Sequence, residues 1–193
     1  MTNKKNLLGL SLLLLIACIA HSQQYDAERY YEIVPANRGT GVRITSYNRY
    51  QEIGIIIPPT IQGKSVVEIG QSAFSNRKIT GVTIPDGVTS IGRYAFKDNQ
   101  LMTGVTIPNS VTSIGTAAFL GNRLTSVTIP NSVTSIGGFA FQLNQLTSVT
   151  IGANVKIESD SFSKEFFDFY NAQGQRAGTY TFSNGEWDVK LAE

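Results

Sequence analysis

The sequence predicts a β-rich solenoid in which short strands alternate with turns or short 3-10 or helical segments, one coil for every 22–23 residues. The first observation is internal repetition, because VTIPDGVTSIGRYAF, VTIPNSVTSIGTAAF and VTIPNSVTSIGGFAF begin at Val82, Val105 and Val127. A period of this length is typical of stacked supersecondary units. The second observation is that apolar and polar residues alternate in each VTI segment, which is the period of a half-buried strand.

Each coil carries the same turn-forming residues after its strand. Proline follows the VTI segment and ends the strand, since it has no N–H to donate to a ladder; the prolines are Pro85, Pro108 and Pro130. Glycine follows the second apolar cluster, where we expect a turn with positive φ; these glycines are Gly92, Gly115 and Gly137. Asparagine, which bonds nearby backbone in turns, occupies Asn99, Asn122 and Asn144.

A phenylalanine closes each coil, and in the three full repeats it lies three residues before the asparagine. These residues are Phe74, Phe96, Phe119, Phe141 and Phe162. A single coil buries too little apolar surface to offset the entropy of ordering its own backbone. We therefore expect the coils to stack, with a backbone ladder between neighbours and a continuous spine of phenylalanine rings.

The repeats resemble the bacterial leucine-rich repeat of the BspA type over about residues 44–162. The resemblance implies a leucine-rich repeat solenoid and a secreted or surface protein associated with adhesion and host interaction, but it fixes no binding residues. Two departures carry predictions of their own. One extra residue after Leu101 indicates a local bulge, and Gly152, in the place of the proline, marks a terminal coil.

The N-terminal 22 residues have the composition of an export signal. Lys4 and Lys5 precede an apolar run of 14 residues, which is shorter than the roughly 20 residues that span a membrane. Small residues at Ala20 and Ser22 suit cleavage before Gln23. An alternative is a lipobox ending at Cys18, in which lipidation of that cysteine attaches the protein to a membrane surface. Both readings predict a secreted or cell-surface protein.

The flanks of the array are predicted to be caps. Beyond the signal peptide (1–22), we expect an N-terminal cap hairpin (23–50), a solenoid of about five coils (51–162) and a C-terminal aromatic and hairpin cap (163–193). The C-terminal hairpin is indicated by Asn184-Gly185 between two strand-like segments. The aromatic residues of this cap are expected to plug the open end of the solenoid. The alternative is a small sugar-binding platform formed by Trp187 and Tyr180.

Composition argues against most catalytic chemistry. The chain has 16 Lys and Arg against 14 Asp and Glu, and loss of Lys4 and Lys5 with the signal balances the charge, which leaves no basic face for nucleic acid. His21 and Cys18 are the only histidine and cysteine. We therefore expect no Ser-His-Asp or Cys-His centre, no metal site, no cofactor and no enzymatic activity.

Four carboxylates lie close together in sequence near the last coil. They are Glu158, Asp160, Glu165 and Asp168. A pair of them has the chemistry for glycoside hydrolysis, and the group has the charge to hold calcium, although it lacks the spacing of a known loop. We favour a solvated acidic rim.

Threonine and serine rows on the strands are the remaining candidates for a site. Stacking predicts one row outside the core, flanked by Gly81, Gly104, Ser126 and Ser148; it consists of Thr83, Thr106, Thr128 and Thr150. A second row runs through Thr89, Thr112 and Thr134. Threonine is also a common strand residue that needs no further role. A flat ladder of threonines would order water, but leucine-rich repeat arrays are curved. Our prediction is that the first row lines a concave face and binds an extracellular protein or glycan. The alternative function is a structural or colonisation factor that acts by self-association.

Overall fold

The computed structural model describes residues 28–36, 40–50, 53–99, 103–153 and 155–192. Within them the chain winds through five coils, and each coil contributes one strand to a front row and one to a back row. The predicted signal peptide, with Cys18, lies outside the described residues, and so does the predicted bulge after Leu101. The β-rich solenoid predicted from the repeats is confirmed.

The strands follow the repeat register. The front strands are β3 (Ile53–Ile56), β6 (Ile79–Thr83), β8 (Gly104–Thr106), β10 (Ser126–Ile129) and β12 (Ser148–Ile151). The back strands are β5 (Lys64–Ile69), β7 (Ser90–Ile91), β9 (Ser113–Ile114), β11 (Ser135–Ile136) and β13 (Lys156–Ile157). A short strand β4 (Thr60–Ile61) pairs antiparallel with β5. All neighbouring back strands pair in parallel, as stacked coils require.

The front row is divided into two sheets. Strands β3, β6 and β8 form one sheet, and β10 and β12 belong to another. The back row is continuous across the same coils, because β9 pairs with both β7 and β11. The division follows β8, the first front strand after the extra residue, although β8 itself keeps its ladder with β6.

The predicted phenylalanine spine is confirmed. Successive rings from Phe74 to Phe162 have centroids 4.9–5.3 Å apart and interplanar angles of 8–15°. Tyr47 continues the stack at the N-terminal end, 5.3 Å from Phe74, and Phe166 continues it at the other end, 4.8 Å from Phe162. The core is therefore one continuous column that crosses the division in the front row.

The asparagines link coils as well as shaping turns. The Asn99 amide donates to the carbonyls of Phe74 and Phe96, and its oxygen accepts from the N–H groups of Arg77 and Ile79. Asn99 is completely buried, which is tolerated because its polar atoms have partners. Asn144 repeats the pattern in the fourth coil, with bonds to Phe119, Phe141 and Leu124.

The expected positive φ at the repeat glycines is wrong. Gly92, Gly115 and Gly137 do not have positive φ, but a Cβ atom there would lie 2.6–2.8 Å from backbone atoms of the preceding coil. Glycine is required by the close approach of neighbouring coils rather than by the conformation of the turn. The positive φ values fall further along, at non-glycine residues such as Tyr94 and Phe139.

Hairpins cap both ends, as predicted. At the N-terminus a 3-10 helix (Glu28–Tyr30) precedes β1 (Tyr31–Pro35), which pairs antiparallel with β2 (Val42–Tyr47) and so extends the back row. At the C-terminus β14 (Gly178–Ser183) and β15 (Glu186–Leu191) extend the front row beyond β12. Both residues of the Asn184-Gly185 turn have positive φ, which is the type I′ geometry.

Helix α1 (Lys164–Ala172) closes the C-terminal end of the core and was not predicted. Ser163 is its N-cap, and the serine hydroxyl accepts from the N–H of Phe166. Phe166 and Tyr170 are buried on the inner face of the helix. Within the described part of the chain, no helix has the length and apolar character needed to cross a membrane.

Candidate functional site

A shallow trough of about 600 Å³ lies on the outer face of the front strands. Its floor and walls come from β3, β6, β8 and β10, so it runs across the division between the two front sheets. Of the described residues that line it, none is ionisable. The trough therefore presents hydroxyl, backbone and small apolar groups to solvent.

The predicted threonine row enters the trough through three of its four members. Thr83 and Thr106 are in register on β6 and β8, and Thr128 lies on β10. All three are exposed and line the trough. Within the described residues, their hydroxyl groups have no protein hydrogen-bond partner. Ser126 also lines the trough and is exposed.

The remaining predicted residues lie outside the trough. Thr150 and Ser148 are on β12, which the C-terminal hairpin covers along its edge through β14. The hydroxyl of Thr150 is 3.0 Å from that of Thr179, and both β12 residues are only partly exposed. The row of four that the repeats predict is thus split into an open part and a part joined to the cap.

The second threonine row has a different environment. The hydroxyl of Thr112 donates to the carbonyl of Thr89 at 3.1 Å, and the backbone N–H of Thr112 donates to the same oxygen. Thr89 and Thr134 make the same pair of bonds to the coil before them. These hydroxyls hold neighbouring coils together beside the two-residue back strands.

Glycines form a row beside the open threonines. Gly54, Gly81 and Gly104 are paired in register across β3, β6 and β8. None has positive φ, and a Cβ atom at Gly81 or Gly104 would meet nothing within 4 Å. Mid-strand glycine weakens a strand and often marks a place where another chain or ligand approaches closely. Sequence reasoning placed Gly81 and Gly104 beside the threonines but missed Gly54, which lies in the irregular first coil.

Two of the four carboxylates near the last coil are engaged in local contacts. Glu158 accepts a hydrogen bond from the N–H of Gly138 at 2.9 Å, and Asp168 forms an ion pair with Lys164 one helical turn away. Over the described residues, no group of three or more His, Cys, Asp or Glu side chains is placed to hold a metal ion.

The alternative prediction, a sugar-binding platform formed by Trp187 and Tyr180, is wrong for Tyr180. Tyr180 is completely buried, and its hydroxyl donates to the carbonyl of Arg176 at 2.7 Å. Burial raises the pKa of Tyr180, and it raises the pKa of Tyr170 to about 12. The rings therefore serve as core, in agreement with the expected aromatic plug.

The repeats are those of a known family. Residues 60–186 match the BspA type leucine-rich repeat region, in six copies. The chain belongs to this family. A leucine-rich repeat protein from Bacteroides capillosus is similar in structure, with a TM-score of 0.54 and 29% identity over 67% of this chain and 94% of that one. A leucine-rich repeat protein from T. pallidum gives a TM-score of 0.52 and 25% identity over 66% and 71%. The comparison with curated proteins gave no match.

Proposed function

We propose that this BspA-type leucine-rich repeat protein is a non-catalytic binding protein whose front trough contacts an extracellular protein or glycan, in the service of adhesion or host interaction. The observation that carries the proposal is the contrast between its two threonine rows. Among the described residues, the hydroxyls of Thr83, Thr106 and Thr128 have no hydrogen-bond partner, whereas those of the back row are bonded to the preceding coil.

The chemistry of the trough favours a neutral ligand surface. Hydroxyl groups donate and accept hydrogen bonds, and the neighbouring glycines leave their backbone groups open to close approach. The absence of ionisable groups among the described lining residues removes long-range attraction for charged partners. A polar, uncharged segment of protein or a neutral glycan chain fits these properties.

The test is binding of the purified protein to an array of glycans and extracellular matrix proteins. A Thr106→Glu, Thr128→Glu double variant places two charges in the trough and is expected to lose at least tenfold in affinity. Thr181→Glu is the matched control, because Thr181 is exposed on β14 outside the trough. Equal binding by the double variant and the control would exclude the trough as the binding surface.

The proposed location depends on the N-terminal segment. Both the signal peptide and the Cys18 lipobox lead to export, and they differ in whether the protein stays on a membrane. Expression of Cys18→Ser in a bacterial host distinguishes them. Lipidation predicts that the variant is released to the medium or remains unprocessed, and a plain signal predicts normal cleavage before Gln23.

A further inference from the structure

A second concavity, which we call the cap crevice, lies between the fourth coil and the C-terminal cap. Its volume is about 290 Å³. It is lined by Phe141, Gln142, Leu143, Asn144, Leu146, Val149, Phe162, Ser163, Phe166 and Trp187. None of these described lining residues is ionisable, and most are apolar. The crevice is therefore suited to an uncharged, apolar or aromatic side chain.

The crevice lies at the place where a further coil would pack if the array continued. In the second and fourth coils the residue that enters the front strand, Ile79 or Leu124, is completely buried. Leu146 has the same position in the next coil but is only partly buried, because helix α1 begins at Lys164 where a further coil would start. The cap leaves unfilled the space that the next coil's leucine would occupy.

An exposed aromatic residue lies at the other end of the same edge. Tyr50 precedes Ile53 by three residues, as Leu143 precedes Leu146, and Ile53 pairs in register with Ile79. Tyr50 is 59% exposed, and the Lys78 ammonium is 5.0 Å from the centre of its ring. Leu143, at the rim of the crevice, is 74% exposed. Leu143 adjoins the cap crevice and adds to the apolar surface exposed at that end of the array.

The two ends of the array differ in charge. Residues 23–123 contain ten Lys and Arg against seven Asp and Glu, a net charge of +3. Residues 124–193 contain four against seven, a net charge of −3. A second copy turned end for end along this edge would place the basic half of each molecule against the acidic half of the other. It would also place each Tyr50 opposite a cap crevice.

We infer that the protein forms a two-fold symmetric, antiparallel dimer in which Tyr50 of each copy occupies the cap crevice of the other. Tyr50 protrudes and the cap crevice receives, and they lie on one edge at opposite ends of the molecule. A two-fold axis therefore pairs each with its counterpart in the second copy, which gives a closed dimer rather than a filament. Lys78 accompanies Tyr50 and faces the acidic cap. The trough lies outside this contact, so the inference stands or falls independently of the proposed ligand site.

Sedimentation equilibrium of the purified protein tests the inference. The wild-type protein is expected to be a dimer that dissociates on dilution, and more readily at high salt because surface charge is screened. Tyr50→Ser and Leu143→Asp are each expected to raise the dissociation constant at least tenfold. Both residues are exposed, so the melting temperature should be unchanged at concentrations where the wild-type protein is itself monomeric. Phe139→Asp, at an exposed position that does not line the crevice, is the control and should remain dimeric.

Mixing the variants distinguishes this geometry from general hydrophobic association. The Leu143→Asp protein keeps an intact Tyr50, and the Tyr50→Ser protein keeps an intact crevice, so the mixture restores one of the two contacts. The mixture should dimerise more tightly than either variant alone. A wild-type monomer at all concentrations, open-ended oligomers, a dimer insensitive to both substitutions, or a mixture that shows no recovery would each overturn the inference.

Discussion

The front and back threonine rows contain the same side chain in the same repeat, yet they differ in what their hydroxyls contact. On the back, the Thr112 side chain and backbone both donate to the carbonyl of Thr89. On the front, Thr106 lies in a full backbone ladder with β6, and its hydroxyl faces the trough. Back strands β7, β9, β11 and β13 are only two residues long, so side-chain bonds extend a ladder that the backbone leaves short.

This difference teaches that position in the ladder, rather than residue type, separates a structural threonine from one available to a ligand. The same holds for glycine. Gly115 is pressed against the preceding coil, whereas Gly104 has open space above it. Each pair supplies a matched experiment, in which the back residue should affect stability and the front residue should affect binding.

The largest effect is expected from a residue that supports both rows. Phe119 is completely buried between Phe96 and Phe141. Replacement of Phe119 by alanine should lower the free energy of unfolding by about 3–5 kcal/mol and loosen front and back strands together. Urea denaturation measures the loss. An unchanged midpoint would contradict the stacked spine.

The glycine pair should give the next largest difference. In Gly115→Ala the new Cβ would lie 2.7 Å from the backbone nitrogen of Arg93, and such overpacking costs about 1–3 kcal/mol. Gly104→Ala meets nothing within 4 Å and should stabilise the strand by about 0.5–1 kcal/mol. Thermal melts of the two variants should therefore move in opposite directions. If both melting temperatures shift in the same direction, neighbouring coils do not approach each other at Gly115 as closely as described.

The threonine pair should give the smallest difference in stability. Thr112→Val removes a hydrogen bond to the preceding coil and should cost about 0.5–1.5 kcal/mol. Thr106→Val removes a hydroxyl that has no hydrogen-bond partner in the described part of the chain, so it should leave the melting temperature unchanged while it weakens ligand binding. If both variants lose equal stability, the front hydroxyls have a structural role after all.

The periodic part of this fold is predictable because each coil repeats the same local signals. The alternation in VTI, the proline after it and the phenylalanine spacing are sufficient for the strands and the spine. Helix α1 was missed because its aromatic residues were read only as a cluster. The signal was present in Ser163 as an N-cap and in the spacing of Phe166 and Tyr170, which places both on one helical face.

Features set by contact between coils are less accessible from sequence. Glycine satisfies both a positive φ and a close approach, so Gly92 alone does not reveal which one applies. The engaged state of Thr150 depends on a hairpin whose Thr179 lies about 30 residues later, and no signal in the repeat reveals that contact. The cap crevice depends on where the array stops and on how the cap covers it.

The divided front row also has a mechanical consequence. Between β8 and β10 the back ladder and the ring stack are continuous, and only the front ladder is interrupted. We expect the array to bend most easily here, about an axis along β9 and β11, and such bending would widen or narrow the trough. A ligand that bridges Thr106 and Thr128 would fix the angle between the two halves of the array, so ligand binding would stiffen the whole solenoid.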